Sequence, residues 1–506
     1  MITNELMNLG AVDTAALISG GQISALEVTD GRIARIEQQQ AQLNALVVRR
    51  FDVARQEARA IDARRLRGDT LPPLAGVPIT VKEALDVQGL PSTGGLPSRR
   101  DHRAEADDPA VTRLRQAGTI VLGKSNVAQA LIFIESDNPL YGRSNHPENA
   151  ERSCGGSSGG EAALVASGGS ALGLGTDIGG SLRVPAAFCG IASLKPTAGR
   201  LPDVQRLSMS VGELAIASQV GPLARNTADV EAALRVLNPP QFMLAASASV
   251  DVSKLRIGVF EQDGLFAPSP GVRRAVREAA AALRAAGATL VTFTVPDPAE
   301  VQALFYGLLG GDGGVSLKRL LGADKRDVRV VQLMFVAGRS RALRQALAGV
   351  AGLAGQHHLP ALIRTLGELS VAQYWDLCER QIDYRLRFLQ AMDRSDAGPL
   401  DLLLSPPVAL PAFTHGATKD LGLPGIYTTL YNVLGFPAGV VPVTRVKAGE
   451  ESDRPASRDL AEKAAARVEA GSVGLPLGVQ LAARPWGESA VLAAMGVIEA
   501  AARTRR

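Results

Sequence analysis

Cys154-Gly-Gly-Ser-Ser-Gly-Gly-Glu161, an alanine-rich run, and then Gly175-Thr-Asp-Ile-Gly-Gly-Ser181 form the stretch around which the chain is organised. Its two glycine-framed serines, Ser157 and Ser181, lie 24 residues apart. Between them the pattern predicts a short helix over 160–167 and a buried strand over 170–176. Residues 177–180 then make a glycine-rich turn that ends on Ser181. A strand that breaks in this way leaves several backbone N–H groups unpaired in one small concavity, because glycine accepts positive φ and lets a ligand approach closely. A tetrahedral oxyanion needs donors of that kind, and losing one costs about 2.7–4 kcal/mol of transition-state stabilisation. Taken singly, each Gly/Ser segment reads as an ordinary loop. The pair gains meaning from a lysine upstream.

That lysine follows Leu74-Ala-Gly-Val-Pro-Ile-Thr-Val81, a β-branched strand that ends directly on Lys82-Glu83. A charge at the end of a buried strand is unfavourable unless it is paired or neutralised. An ordinary lysine pKa of about 10.4 falls by several units on desolvation, which turns the side chain into a base. In isolation Lys82 reads as a surface residue at a strand end; beside two serines it reads as the base of a relay. A neutral Lys82 draws a proton through Ser157 from Ser181, which attacks a carbonyl, and the same relay run backwards protonates the leaving nitrogen. Assistance of this kind is worth about 10²–10⁴-fold. An activated serine also divides amide cleavage into acylation and deacylation.

Two motifs compete with this reading. Gly118-Thr-Ile-Val-Leu-Gly-Lys-Ser125 matches the phosphate-loop pattern letter for letter. Its four central residues read as a strand rather than a flexible turn, so nucleotide binding is rejected. Gly155-Gly-Ser-Ser-Gly159 fits a nucleophile elbow, which would make the protein a Ser-His-Asp esterase. That reading needs a strand entering the elbow, but residues 143–154 are polar and loop-like. Of the five histidines only His415 is an attractive downstream partner.

Composition narrows the class. The chain has 506 residues, 46% of them hydrophobic, and a net charge of +4 spread thinly, which is no signature of nucleic-acid binding. No run approaches the 18 or so apolar residues of a membrane span. Met1–Gly10 lacks a basic segment followed by an apolar one, so no signal peptide is expected. The three cysteines, Cys154, Cys189 and Cys378, are odd in number and show no Cys-x-x-Cys spacing. They imply neither a disulfide framework nor a zinc site, and point to a reducing, cytoplasmic setting.

In chain order, residues 11–67 read as helical, opened in part by the capping box Ser24-Ala-Leu-Glu27. A helix is predicted at 183–189 and a strand at 191–194, with a linker over 238–250. Residues 254–295 read strand, helix, strand, a βαβ unit with a right-handed crossover. Residues 299–395 form a helical excursion. Strands follow at 402–405, 438–443 and 474–481, with an exposed insert at 446–473 and a terminal helix. The expectation is one large α/β domain over 1–506, a twisted, mixed, mostly parallel sheet with helices on both faces. Its core is 72–225, and the excursion covers the active site.

Gly76-Val-Pro-Ile-Thr-Val-Lys82-Glu, Gly155-Gly-Ser157-Ser-Gly-Gly-Glu and Gly175-Thr-Asp-Ile-Gly-Gly-Ser181-Leu-Arg-Val-Pro together resemble the amidase signature family. Phe188-Cys-Gly-Ile and Leu194-Lys-Pro-Thr extend the likeness. The resemblance implies Lys82 as base, Ser157 as relay on a cis peptide, and Ser181 as acyl nucleophile. It places the oxyanion hole on the N–H groups of Ile178, Gly179, Gly180 and Ser181, and Leu131, Phe133 and Ile134 in the substrate pocket. Within the family the likeness is nearest to the fatty acid amide hydrolases, through Asn138-Pro-Leu-Tyr-Gly and Tyr427-Thr-Thr-Leu-Tyr-Asn…Phe436-Pro-Ala-Gly-Val-Val-Pro-Val. The membrane-anchoring N-terminal helix of the animal enzymes has no counterpart at the start of this sequence. The function expected is hydrolysis of linear amides, with aryl amides, fatty amides and carbamates (urethanes) as candidate small-molecule substrates. Neither metal nor cofactor is called for, and a homodimer is left open. The alternative is the amidase-type subunit of a tRNA-dependent amidotransferase.

Overall fold

Eleven strands build one sheet: β1 (Leu46–Arg49), β2 (Pro78–Lys82), β3 (Ile120–Ser125), β4 (Leu172–Asp177), β5 (Ala192–Lys195), β6 (Gln219–Ala224), β7 (Arg256–Val259), β8 (Thr289–Thr292), β9 (Leu402–Ser405), β10 (Ala438–Arg445) and β11 (Pro476–Ala483). Their order across the sheet is β1-β3-β2-β4-β6-β5-β10-β11-β9-β7-β8. The computed structural model describes residues 4–202, 207, 212–421 and 425–505. Residues 203–206 and 208–211 of the predicted 72–225 core therefore lie outside the described residues.

The mixed α/β sheet agrees with the sequence reading; the expectation that it is mostly parallel does not hold. β2 is parallel to β3 and β4, and β7 is parallel to β8 and β9, whereas the other six neighbouring pairs are antiparallel. A strand buried on both faces is a continuous apolar run whichever way it points, so its residues do not encode direction.

Alternating side chains give the sheet two apolar faces. Ile120 and Leu122 of β3 enter one core with the helices Ala25–Leu43, Phe51–Leu66 and Gly159–Ala166. Val121, between them, enters the other with Thr227–Leu237, Pro270–Ala285 and Glu488–Arg503. This is the period-two alternation of a strand made visible in packing. The predicted capping box is present: Glu27 N–H donates to Ser24 Oγ at 3.1 Å and Ser24 N–H to the Glu27 carboxylate at 2.8 Å.

Three local expectations change. The helical stretch 11–67 is interrupted by β1, which pairs antiparallel with β3. Residues 143–154 hold a small hairpin, Asn145–His146 with Asn149–Ser153, apart from the main sheet. The insert 446–473 contains a helix, Leu460–Glu469, that buries Ala461, Ala464, Ala465 and Val468. The excursion is helical as read, six helices from Pro298–Leu309 to Val371–Asp393, and it leaves from β8 and returns to β9. No helix among the described residues is long and apolar enough to cross a membrane.

Candidate active site

β2 and β4 lie side by side and parallel, with Val81 opposite Leu174, so their carboxyl ends meet at one edge. Open α/β sheets offer binding crevices at such edges. Lys82 is the last residue of β2, and Thr176 and Asp177 close β4. Lys82 Nζ donates to Thr176 Oγ1 at 2.7 Å and to Ser157 Oγ at 2.8 Å. Ser157 arrives from a third element, just ahead of the helix Gly159–Ala166, on a cis Gly156–Ser157 peptide bond. Two predicted site residues from distant motifs are thus in direct contact.

Lys82 has no exposed surface. Burial pushes its pKa down to about 7, against the pull of the Asp177 and Glu161 carboxylates. Near neutrality a large share of the side chain is therefore free amine, the form that accepts a proton.

Asp177 shapes the turn that leads to Ser181. Its carboxylate accepts from Gly180 N–H at 2.8 Å, Leu182 N–H at 3.2 Å, Arg183 Nε and Nη2 at 3.0 Å each, and Asn432 Nδ2 at 2.9 Å. Burial alone would raise its pKa, but Arg183 and Asn432 outweigh burial and hold the carboxyl well below the usual range. Arg183, itself fully buried, also donates to Asn432 Oδ1 at 2.7 Å and Thr428 O at 3.0 Å. The pair is a bidentate, charge-assisted bracket. Ser181 sits beyond it at 7% exposure, ahead of the helix Arg183–Cys189.

Of the predicted oxyanion donors, Gly180 is already engaged, because its N–H points to Asp177. Its φ of +121° is one that side chains rarely adopt, and a Cβ there would run into the Thr428 hydroxyl, which in turn donates to Gly179 O at 2.9 Å. Gly180→Ala is expected to cost about 1–3 kcal/mol of stability by overpacking and to lower activity with it. A thermal melt with an unchanged midpoint would show that the turn relaxes instead.

The residues expected to wall the substrate pocket fall into two groups. Ile134 is buried in the main core, while Leu131 and Phe133 are partly exposed. Ala130 and Leu131 have φ of 51° and 62°, unusual for residues other than glycine. The backbone of Ile134 and Glu135 lies against Gly156, where a Cβ would come within 2.6 Å of Glu135 N. The segment therefore backs the Ser157 loop.

Thr176, Asp177, Arg183, Asn432 and Glu161 lie within the motifs that carry the resemblance, but only the structure joins them to the candidate site. Glu161, in the first turn of its helix, accepts from Thr80 Oγ1 at 2.6 Å, and burial pushes its pKa up to about 8. Thr80 and Lys82 share a face of β2, so a helix residue reaches the strand that carries the lysine. His415, the histidine that the elbow reading would need, has its Nε2 3.0 Å from Ala150 O, and His146 has its Nε2 2.8 Å from Phe188 O. The rejected phosphate-loop segment is strand β3, and its Lys124 donates to Ser92 Oγ at 2.8 Å. Among the described residues no group of three or more His, Cys, Asp or Glu is arranged to hold a metal.

The structure shares its fold with a fatty acid amide hydrolase, on which it superposes with a TM-score of 0.83, at 24% identity, over 98% of this chain and 85% of that one. The family model described as Amidase matches residues 27–492, and the chain belongs to the amidase family. It is 36% identical over 450 residues to fatty-acid amide hydrolase 1 of Sus scrofa, covering 84% of this chain and 75% of that protein. It is also 31% identical over 506 residues to one component of the glutamyl-tRNA(Gln) amidotransferase of Roseiflexus castenholzii, covering 96% of this chain and 94% of that one.

Proposed function

We propose that the protein hydrolyses linear amides through an acyl-enzyme on Ser181, with Lys82 as general base and Ser157 as proton relay. The carrying observation is a fully buried Lys82 whose pKa lies near 7 and whose Nζ reaches Ser157 Oγ at 2.8 Å. Ser157 passes a proton to Lys82 as it takes one from Ser181, whose Oγ attacks the amide carbon. The oxyanion is received by the N–H groups of Ile178, Gly179 and Ser181, while Gly180 spends its own N–H on holding the turn against Asp177. The relay then returns a proton to the leaving nitrogen, and water, activated by the same pair, attacks the ester to free Ser181.

Aryl amides, fatty amides and carbamates are the substrate candidates, met in a reducing, cytoplasmic setting. The helical excursion forms the cover. Phe305, in the helix Pro298–Leu309, presses its ring so near the turn that a Cβ on Gly179 would lie 2.8 Å from it. Leu131 and Phe133 supply another wall.

The base must be unprotonated to act, so kcat/KM is expected to rise about tenfold per pH unit below pH 7 and level off above it. A profile flat from pH 5 to 9 would rule out Lys82 as the base. The substrate test is turnover of a panel of p-nitroanilides, p-nitrophenyl carbamates, fatty amides and glutamine, with Ser181→Ala as blank. Cleavage of one of the first three classes, lost in the blank, supports the reading. Glutamine as the single substrate, with a co-purifying protein, would instead favour a component of an amidotransferase, the reading raised by the similarity to the Roseiflexus castenholzii protein.

A further inference from the structure

We infer that Arg329 is a positioning residue which clamps the helical excursion onto the 129–137 segment behind Ser157 and so fixes the outer wall of the substrate pocket. The inference rests on the amidase reading above. Arg329 lies in the helix Val328–Ala337, and its side chain is 4% exposed. Three carboxylates converge on it. Nη2 is 2.6 Å from Asp327 Oδ2 and 3.4 Å from Asp137 Oδ2, and Nη1 is 3.4 Å from Glu135 Oε2. Its guanidinium also sits 5.5 Å from the centroid of the Phe133 ring.

Asp327 belongs to the excursion; Asp137, Glu135 and Phe133 belong to the segment it meets. Without the guanidinium, the buried Glu135 carboxylate and the largely buried Asp327 carboxylate would face one another from the two sides, with the more exposed Asp137 beside them, and like charges repel there. The seam is also stitched by Gln129, which donates through Nε2 to Lys325 O at 2.8 Å and accepts from Asp327 N–H at 2.8 Å. Beside it lies an apolar cluster of Leu96, Ala130, Leu317, Leu321 and Val330, with Phe133 and Met334 among the partly buried side chains packed on it, separate from the two cores of the sheet. Apolar contact is not directional, so the polar clamp is what fixes how the two sides are aligned.

The Ser157 side of the segment has an anchor of its own, independent of Arg329. The Glu135 carboxylate accepts from Gly416 N–H at 2.7 Å and from Thr418 N–H at 2.9 Å, while its backbone N lies against Gly156, beside the relay serine. The left-handed residues Ala130 and Leu131 occur in the same segment. Backbone held in such conformations persists only where its surroundings over-determine it. Arg329 is the charged centre of those surroundings.

The test compares wild type, Arg329→Gln and Arg329→Lys on an acetyl and a decanoyl amide with the same leaving group, after a sample of each has been checked for labelling of Ser181 by a small fluorophosphonate. Arg329→Gln is expected to raise KM for the decanoyl amide at least tenfold, while kcat for both amides and KM for the acetyl amide stay within threefold. Arg329→Lys, which keeps the charge, is expected to recover most of the loss. Equal losses on both amides, or no loss, overturn the inference; labelling of wild-type Ser181 then leaves the amidase reading standing. Failure to label wild-type Ser181 overturns both. If Arg329→Gln does not fold, Asp137→Asn and Arg329→Lys decide the matter by the same ratio of KM values.

Discussion

Ser181→Ala is expected to reduce amide turnover by on the order of 10⁴–10⁶-fold, the scale seen when a hydrolase loses its covalent nucleophile. The fold should not notice. The bracket that holds the turn is Asp177 with Gly180, Arg183 and Asn432, and none of those bonds uses the Ser181 side chain. The melting midpoint is therefore expected to stay within a degree or two of wild type, and substrate affinity to survive. A fluorophosphonate that labels wild type should leave the variant unmarked. Turnover above about one per cent of wild type would place the nucleophile elsewhere, with Ser157 and Ser158 the first alternatives.

Lys82→Ala is expected to lower kcat/KM by about 10²–10⁴-fold, the worth of a positioned proton acceptor. It also strands two buried hydroxyls, since Thr176 Oγ1 and Ser157 Oγ both take their bond from Lys82 Nζ. The loss should be specific to proton transfer: the acid limb near pH 7 disappears, and the residual rate climbs with hydroxide. Stability changes in a way that can be told apart from this. In wild type the lysine pKa falls from 10.5 in the unfolded chain to about 7 in the folded one. The unfolded chain thus binds the extra proton between those values, so stability declines as pH falls from 10.5 to 7. The alanine variant lacks that slope. Activity retained above a tenth of wild type, or a pH profile identical to wild type, would remove Lys82 from the mechanism.

Much of the candidate site is legible because its motifs are local in sequence. Gly-rich turns, the serines they frame and a lysine closing an apolar strand are patterns a few residues long. The helix between the serines, Gly159–Ala166, and the helix Arg183–Cys189 fall where the periodicity puts them. The residues that hold the site in shape were not legible in the same way. Asn432 reaches Asp177 across 255 positions, and nothing near either residue announces the other. Thr176 and Asp177 sat inside the quoted motif, but their roles appear only once the parallel register sets β4 beside Lys82.

The fold divides likewise. Helices on both faces and a mixed sheet follow from composition and alternation, whereas the one βαβ unit at 254–295, parallel as read, fixes the direction of its own two strands and no others. The four-residue strand β1 is too short to stand out between two helices. The helix Leu460–Glu469 did carry a signal, since Ala461, Ala464, Ala465 and Val468 recur at helical spacing. Its many charges masked that stripe.

The path of the excursion has a consequence of its own. It departs from β8 and rejoins at β9, the two strands that flank β7, so its end points are about 10 Å apart across the sheet, twice the strand spacing. Lys82, Ser157 and Ser181 were all laid down earlier in the chain, on strands and turns that the detour does not interrupt. Asn432 and Thr428, which bracket the Ser181 turn, follow the detour, so the chain returns from it to complete the candidate site. A change in the detour's length therefore requires no change in strand order or in the pairing of β7 with its two neighbours, which makes it the connection of this sheet most open to variation.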